Sequence, residues 1–461
     1  MLEPYKIISP IDGRCVAAVA YTEPSAVDEA LSKARRAQVE WSRTSIDERA
    51  QFCRAFVEAM LIAQAGIAEQ LAWQMGRPIA YGPLEVKRLA ERAEHMISIA
   101  EGALAPIELT DKAQIRRIEH EPHGIVLVVA PWNYPYLTAV NTIIPALMAG
   151  NAVILKPAAQ TALCGEQFAS AFSKAGMPPG VFQNLLLSHE VVAQVIGSRR
   201  IDFVSFTGSV RAGHEIEHAA AGKFLPVGLE LGGKDPAYVR ADAALAASVS
   251  NLVDGSFFNS GQSCCGIERI YVHERIYGEF IDSFAAETLR SQILADPLQL
   301  TTTLGPVVSR RAATGIRGQV ASALAKGARA VTGISTAGEP DNPYIAATTL
   351  IDTDHSMEVM TEETFGPVVA IMRVGSDDEA VRLMNDSRYG LTASIWTQDL
   401  SAGAAIAKNV ATGTCFINRC DYLDPCLAWV GIKDSGRGCS LSQLGYAAVT
   451  RPKSFYAREL V

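Results

Sequence analysis

The sequence predicts an α/β fold built on parallel sheets. Short, wholly apolar runs recur beyond residue 124, helical stretches separate them, and the first hundred residues show helical periodicity instead. In that first region, rich in Ala, Glu, Arg and Leu, Val27, Leu31 and Ala34 lead toward Trp41, and Phe52, Phe56 and Met60 repeat the spacing. Pro24-Ser25 and Ser45-Ile46-Asp47 read as helix starts, by capping chemistry and acid in the first turn. The expectation here is a helical layer with nothing catalytic in it.

From residue 124 the texture changes. Ile125-Val126-Leu127-Val128-Val129 is a continuous apolar run, as a strand buried on both faces requires. Ala152 to Leu155 and Phe203 to Phe206 are similar, with helical stretches between, so a parallel sheet covered on both faces is expected. Ligands of such sheets bind beyond the carboxyl ends of the strands, where Lys156-Pro157 and Thr207-Gly208-Ser209 fall. A second alternating region follows residue 235, with candidate strands Arg269–Val272, Val368–Met372, Ala393–Trp396 and Thr414–Ile417. Residues 338 to 343 read as a turn-rich loop too short for a domain linker.

Length and composition bound the function. A chain of 461 residues calls for two or three domains. Apolar residues at 49% and charged residues at 20% describe ordinary globular material. The net charge of −8, with no basic stripe, argues against a nucleic-acid partner. The stretch Leu137 to Leu155 is interrupted by Asn141, Pro145, Gly150 and Asn151, which makes it a poor membrane span, and the start lacks the layout of a secretory signal. The nine cysteines include no Cys-x-x-Cys and no zinc-like histidine pair, so no metal site is expected. A reduced, cytoplasmic chain with mostly buried thiols is the simplest reading.

The chemistry concentrates in a few segments. In Asn259-Ser260-Gly261-Gln262-Ser263-Cys264 a thiol follows a Gly-Gln turn, and a thiolate is a strong nucleophile. Upstream, Leu229-Glu230-Leu231-Gly232-Gly233-Lys234 offers a carboxylate able to take a proton from water. Pro131-Trp132-Asn133-Tyr134-Pro135 offers a side-chain amide for a developing oxyanion. Taken in order with Lys156-Pro157, Phe206-Thr207-Gly208-Ser209 and Glu363-Thr364-Phe365-Gly366-Pro367, these segments resemble the aldehyde dehydrogenase superfamily over nearly the whole chain.

That resemblance implies an aldehyde dehydrogenase-like fold in three parts. A Rossmann-type cofactor domain would span 1–103 and 123–232 with about 435–449; an α/β catalytic domain would span 233–434; a β oligomerisation arm would comprise 104–122 and 450–461. It selects Cys264 over its neighbour Cys265 as nucleophile, Glu230 as the base that hydrolyses the thioester, and Asn133 with the Cys264 backbone N–H as oxyanion donors. One such donor is worth about 3–4 kcal/mol of barrier. It assigns Lys156 to the adenosine ribose, Gly208, Ser209 and Gly213 to the phosphates, Glu363 to the nicotinamide ribose, and Trp132 and Phe365 to the surroundings of the ring. The cofactor is NAD or NADP. NAD-preferring relatives often carry a glutamate where this chain has Ala159, and losing that carboxylate removes repulsion of a 2′-phosphate, so NADP is expected to be tolerated or preferred.

On the substrate side Tyr134, Asp421, Tyr422, Leu423 and Trp429 fall where an apolar tunnel is expected, Trp429 having interdomain packing as its alternative. Arg419 is the candidate carboxylate anchor if the substrate is a semialdehyde such as succinate semialdehyde. The implied assembly is a homodimer or a dimer of dimers, since an exposed edge strand seeks a partner. Two rival readings stand beside this one. A redox-independent thiol esterase leaves Lys156, Ser209 and Glu363 unexplained, and a catalytically silent relative predicts a lost nucleophile or base.

Overall fold

The computed structural model describes residues 3–110, 114–333 and 341–458. Two largely parallel sheets dominate. The first has the spatial order Phe182–Asn184, Ala152–Lys156, Ile125–Val129, Phe203–Thr207, Val227–Glu230, Gly436–Arg437. All neighbours are parallel except the last pair. Ile125–Val129 and Ala152–Lys156 are buried at every position, as their unbroken apolar runs require. The chain leaves Ile125–Val129 toward one side of the sheet and returns to Phe203–Thr207 on the other. A crevice therefore opens at the carboxyl ends between them, the switch point of a Rossmann-like sheet.

The second sheet runs Arg329–Thr332, Thr348–Ile351, Val368–Val374, Ile267–His273, Asp235–Val239, Thr392–Trp396, Thr414–Ile417, antiparallel only at its first pair. A third, antiparallel sheet of Ile107–Glu108, Gln114–Pro122 and Thr450–Arg458 stands apart, with Ile115, Phe455 and Tyr456 exposed on it. The segments 111–113 and 459–461 of the expected arm lie outside the described residues, as do 338–340 of the expected loop.

Several expectations need correction. The first hundred residues open with an antiparallel pair, Tyr5–Ile8 and Cys15–Val19, before the helices begin. Helix Ile46–Ile62 is capped as expected, Ser45 accepting from the Glu48 N–H, but helix Pro24–Trp41 has no side-chain cap and starts on Pro24 itself. Of the nine cysteines, all free, only Cys53, Cys164 and Cys265 are buried, while Cys15 and Cys426 are exposed. Strand Asp235–Val239 escapes sequence reading because Pro236 argues against a central strand. The structure absorbs the missing N–H in a register shift between Asp235 and Pro236. Among the described residues no single helix is long and apolar enough to cross a membrane; helix Pro135–Met148 and strand Ala152–Lys156 occupy the apolar stretch and are buried.

Gly436 fastens the C-terminal segment to the strand that carries Glu230. It pairs with Glu230 at φ +127°, and an added methyl would overlap the Leu229 carbonyl. Gly436→Ala should destabilise the fold by about 1–3 kcal/mol, read as a lower denaturant midpoint at unchanged slope.

Candidate active site

Cys264 leaves a turn that few sequences tolerate. Asn259, Ser260 and Gly261 all have positive φ (54°, 58° and 68°), and a side chain on Gly261 would overlap the Gly366 carbonyl. Neighbours fix this strained path. Ser260 Oγ donates to Gly305 O at 2.9 Å, Gln262 Nε2 to Asn259 O at 3.2 Å, and the Val308 N–H to Gln262 Oε1 at 2.8 Å.

The helical layer supplies the rest of that support, contrary to expectation. Arg77 is buried and ion-paired with Glu85. Its Nε donates to Asn259 Oδ1 at 3.0 Å, its Nη2 to Asn133 O at 2.5 Å, and its guanidinium lies 4.6 Å over the Tyr134 ring. Glu85 Oε1 accepts from the Tyr136 and Leu137 N–H groups, capping helix Pro135–Met148. Burial pushes Arg77 down to about 10, still cationic at neutral pH. Asn133 Nδ2 in turn donates to Gln262 O at 3.0 Å, which leaves its second N–H for the cleft that Asn133 and Cys264 both line.

That cleft, about 780 Å³, lies at the carboxyl ends of the first sheet. Lys156, Gly208, Ser209, Trp132, Glu363 and Phe365 all line it, as the sequence reading requires. Lys156 is 6% exposed, and among the described residues its ammonium has no hydrogen bond or ion pair; burial pushes it down to about 8. Ser209 caps helix Val210–Ala220, accepting from the Ala212 N–H. Gly213 lies behind the cleft, its missing side chain making room for Leu231. Trp132 and Phe365 meet edge to face at 5.5 Å. Ala159 does not reach the cleft; it packs toward the N-terminal strand pair beside Ile7 and Ala162.

Glu363 is held from behind. It accepts from the Gly233 N–H at 3.0 Å, and burial, then Glu268, pushes its carboxyl up to about 7. Glu268 accepts from the N–H groups of Thr364 and Phe365 and from Lys234 Nζ at 2.5 Å. This buried Lys234–Glu268 pair joins the segment after Glu230 to the loop that carries Glu363 and Phe365.

Glu230 stands apart from the cleft. It ends strand Val227–Glu230 and lines a separate cavity of about 140 Å³ with Thr142, Ser205 and Ser440, whose hydroxyl it holds. Burial pushes its carboxyl above the ordinary range, against the Ser440 hydrogen bond and nearby Arg92. Its carboxylate is held on Ser440 and is not part of the lining of the Cys264 cleft.

A phosphate-turn crevice beside a thiol and an amide belongs to a known family, and the comparisons agree. The profile of the aldehyde dehydrogenase family matches residues 2–455. The chain belongs to that family. It is 32% identical over 446 residues to succinate-semialdehyde dehydrogenase (NADP+) 1 of Mycobacterium tuberculosis, covering 96% of this chain and 97% of the relative. It is 32% identical over 466 residues to 3,6-anhydro-alpha-L-galactose dehydrogenase of Streptomyces coelicolor, covering 99% and 93%. Among solved structures it superposes on NADP-dependent glyceraldehyde-3-phosphate dehydrogenase from Bacillus halodurans, complexed with NADP, with a TM-score of 0.93 at 31% identity, covering 99% and 96%. On succinic semialdehyde dehydrogenase from Streptococcus pyogenes in complex with NADP+ the TM-score is 0.94 at 27% identity, covering 99% and 100%. The protein is thus an NAD(P)-dependent aldehyde dehydrogenase, and its cleft suits the cofactor: a buried ammonium without a partner among the described residues and a half-buried carboxylate able to accept from hydroxyl groups both line it.

The expected tunnel residues scatter more. Tyr134, Leu423 and Trp429 pack in one apolar cluster with Cys264 and Cys265. Trp429 is 5% exposed, packs in that cluster and does not line the cleft of Lys156 and Glu363. Asp421 accepts from Ser263 Oγ at 2.8 Å and Cys265 Sγ at 3.1 Å. A hydrogen bond with Cys264, then burial, holds the Cys265 thiol well above its usual range. Arg419 is exposed and stacks 3.4 Å over Tyr422. The residues that sequence reading missed are Arg77, Glu85, Arg92, Lys234 and Glu268. Only Lys234 had a signal, a charge closing an otherwise apolar, glycine-rich motif.

Removing one member of a buried pair strands the other. Lys234→Met should lower stability by about 3–5 kcal/mol in denaturant titration, and adding Glu268→Gln should restore part of the loss.

Proposed function

We propose that this aldehyde dehydrogenase oxidises an aldehyde carrying a carboxylate, of the succinate-semialdehyde type, to the diacid, with NADP as the oxidant. The observation that carries the chemistry is the shared cleft: Cys264 and Asn133 line the same crevice as Lys156 and Glu363. The names of the M. tuberculosis and S. pyogenes relatives support the substrate class, and Ala159, which brings no carboxylate to the adenosine end, supports NADP. The cofactor-binding, catalytic and arm boundaries at residues 103, 123, 232 and 434, and a homodimer or dimer of dimers through the exposed sheet, belong to the same reading.

Cys264 sulfur adds to the aldehyde carbon, and the oxyanion rests on the free Asn133 N–H and the Cys264 backbone N–H. NAD(P) held by Lys156 and Glu363 would supply the two-electron acceptor for the hydride that leaves as Cys264 becomes a thioester. Glu230 then leaves Ser440, turns toward the thioester and removes a proton from water as it attacks, releasing acid and free thiol. Its raised pKa suits a base that works near neutrality.

We assign the substrate's carboxylate to one of two arginines. Arg419 stands at the exposed edge on Tyr422. Arg88, half-buried, shares a helix face with Glu85 and Arg92 and makes no hydrogen bond or ion pair among the described residues. Arg92 donates to Leu137 O at 3.0 Å and Asn141 Oδ1 at 3.2 Å, so it backs the site. Arg88 and Arg92 also offset the buried Asp421 carboxyl, which would otherwise repel an anion.

Cys264→Ala should abolish oxidation of every aldehyde. Arg88→Leu should raise KM for succinate semialdehyde on the order of tenfold while leaving KM for butanal unchanged. Equal effects on both aldehydes, or activity confined to uncharged aldehydes in the parent enzyme, would remove the carboxylate from the proposal.

A further inference from the structure

The adenosine end of the cleft carries more positive charge than a ribose needs. Lys156 closes strand Ala152–Lys156, buried and unpartnered, while His189 stands at the first position of the nine-residue helix His189–Gly197. Arg211, from the first turn of helix Val210–Ala220, lines the same end and has no hydrogen bond or ion pair among the described residues. The N–H groups at the start of His189–Gly197 add partial positive charge, although Ser188 Oγ already occupies the Val191 N–H. A buried ammonium without a counter-charge, a guanidinium and a protonatable imidazole around a helix start describe a site for a multiply charged anion.

We propose that His189 and Arg211 read the 2′-phosphate of NADP beside Lys156, and that His189 makes this recognition weaken as pH rises while NAD binding stays level. The inference rests on the NADP reading above and goes beyond it by naming the residues and the pH dependence.

The charges facing His189 set the sign. Burial, then Lys156 and Arg211, hold its imidazole below the usual range, so without ligand it is largely neutral near neutrality. Glu190 on its own helix and Glu215 on Val210–Ala220 also line this end and oppose an anion, while His214 is turned to Glu217 at 3.7 Å. A dianionic phosphate against the ring outweighs the two cations that discourage protonation, so His189 gains a proton on binding. Affinity is therefore higher at low pH and falls as the bound-state imidazole loses its proton. The phosphate has its own second ionisation near about pH 6, which a variant lacking only the imidazole retains.

Calorimetric titration with 2′,5′-ADP and with 5′-AMP, in buffers of different ionisation enthalpy between about pH 6 and about pH 8, separates the contributions. The parent protein should prefer 2′,5′-ADP and take up more protons on binding it than on binding 5′-AMP, whose own phosphate ionisation at about pH 6 sets the baseline. His189→Gln should bind 2′,5′-ADP about tenfold more weakly at the acid end, converge with the parent at the basic end, and lose the extra proton uptake. Arg211→Gln should weaken 2′,5′-ADP at every pH and leave the uptake in place. If the parent binds both nucleotides equally, the NADP reading fails. If it prefers 2′,5′-ADP but His189→Gln matches it in affinity and proton count, the role given to His189 fails alone.

Discussion

One buried guanidinium, Arg77, holds together the segments from which the reacting centre is made. It reaches Asn133 O, which belongs to the oxyanion turn, and Asn259 Oδ1, which belongs to the left-handed turn before Cys264. Its counter-ion Glu85 caps the helix that follows the oxyanion turn. Taking these charges out of water is costly, and an apolar core of the same volume would often be as stable. What the pair adds is geometry. The amide and the thiol are on segments far apart in sequence, and a shared rigid cation fixes their separation more tightly than loop packing does.

Lys234 and Glu268 do the same work at the other end, tying the strand that carries Glu230 to the loop that carries Glu363. Between the two pairs the cleft is electrostatically uneven. Lys156 and Arg211 bring positive charge to one part of the cleft, whereas a single raised carboxyl, Glu363, lines another. A dinucleotide has matching asymmetry, phosphates on one side and ribose hydroxyls on the other. Glu230 lies outside this cleft, its carboxylate on Ser440 in a separate cavity.

Most of the sheet framework was legible because buried parallel strands write themselves as apolar runs; Ile125–Val129 falls where the sequence puts it. Strands that end in function did not show. Val227–Glu230 contains a glycine and closes on a charge, and Asp235–Val239 hides behind Pro236. The reactive segments were legible as motifs, since Cys264, Asn133, Lys156 and Glu363 do line one cleft. Their supports were not. Glu85 and Arg92 look like solvated charges on an amphipathic helix and Arg77 like a loop cation, and only the fold reveals that they face inward. The bond of the Glu230 side chain to Ser440 is a rotamer outcome that no spacing encodes.

The account stands on a covalent acyl-enzyme formed at Cys264 and released by Glu230. Glu230→Gln protein mixed with NADP+ and succinate semialdehyde, quenched in acid and digested, should show an early burst of NADPH. It should also show the succinyl mass on the peptide bearing Cys264, and only when NADP+ is present. Steady turnover at the parent rate with no adduct, or an adduct on a different cysteine, would contradict it.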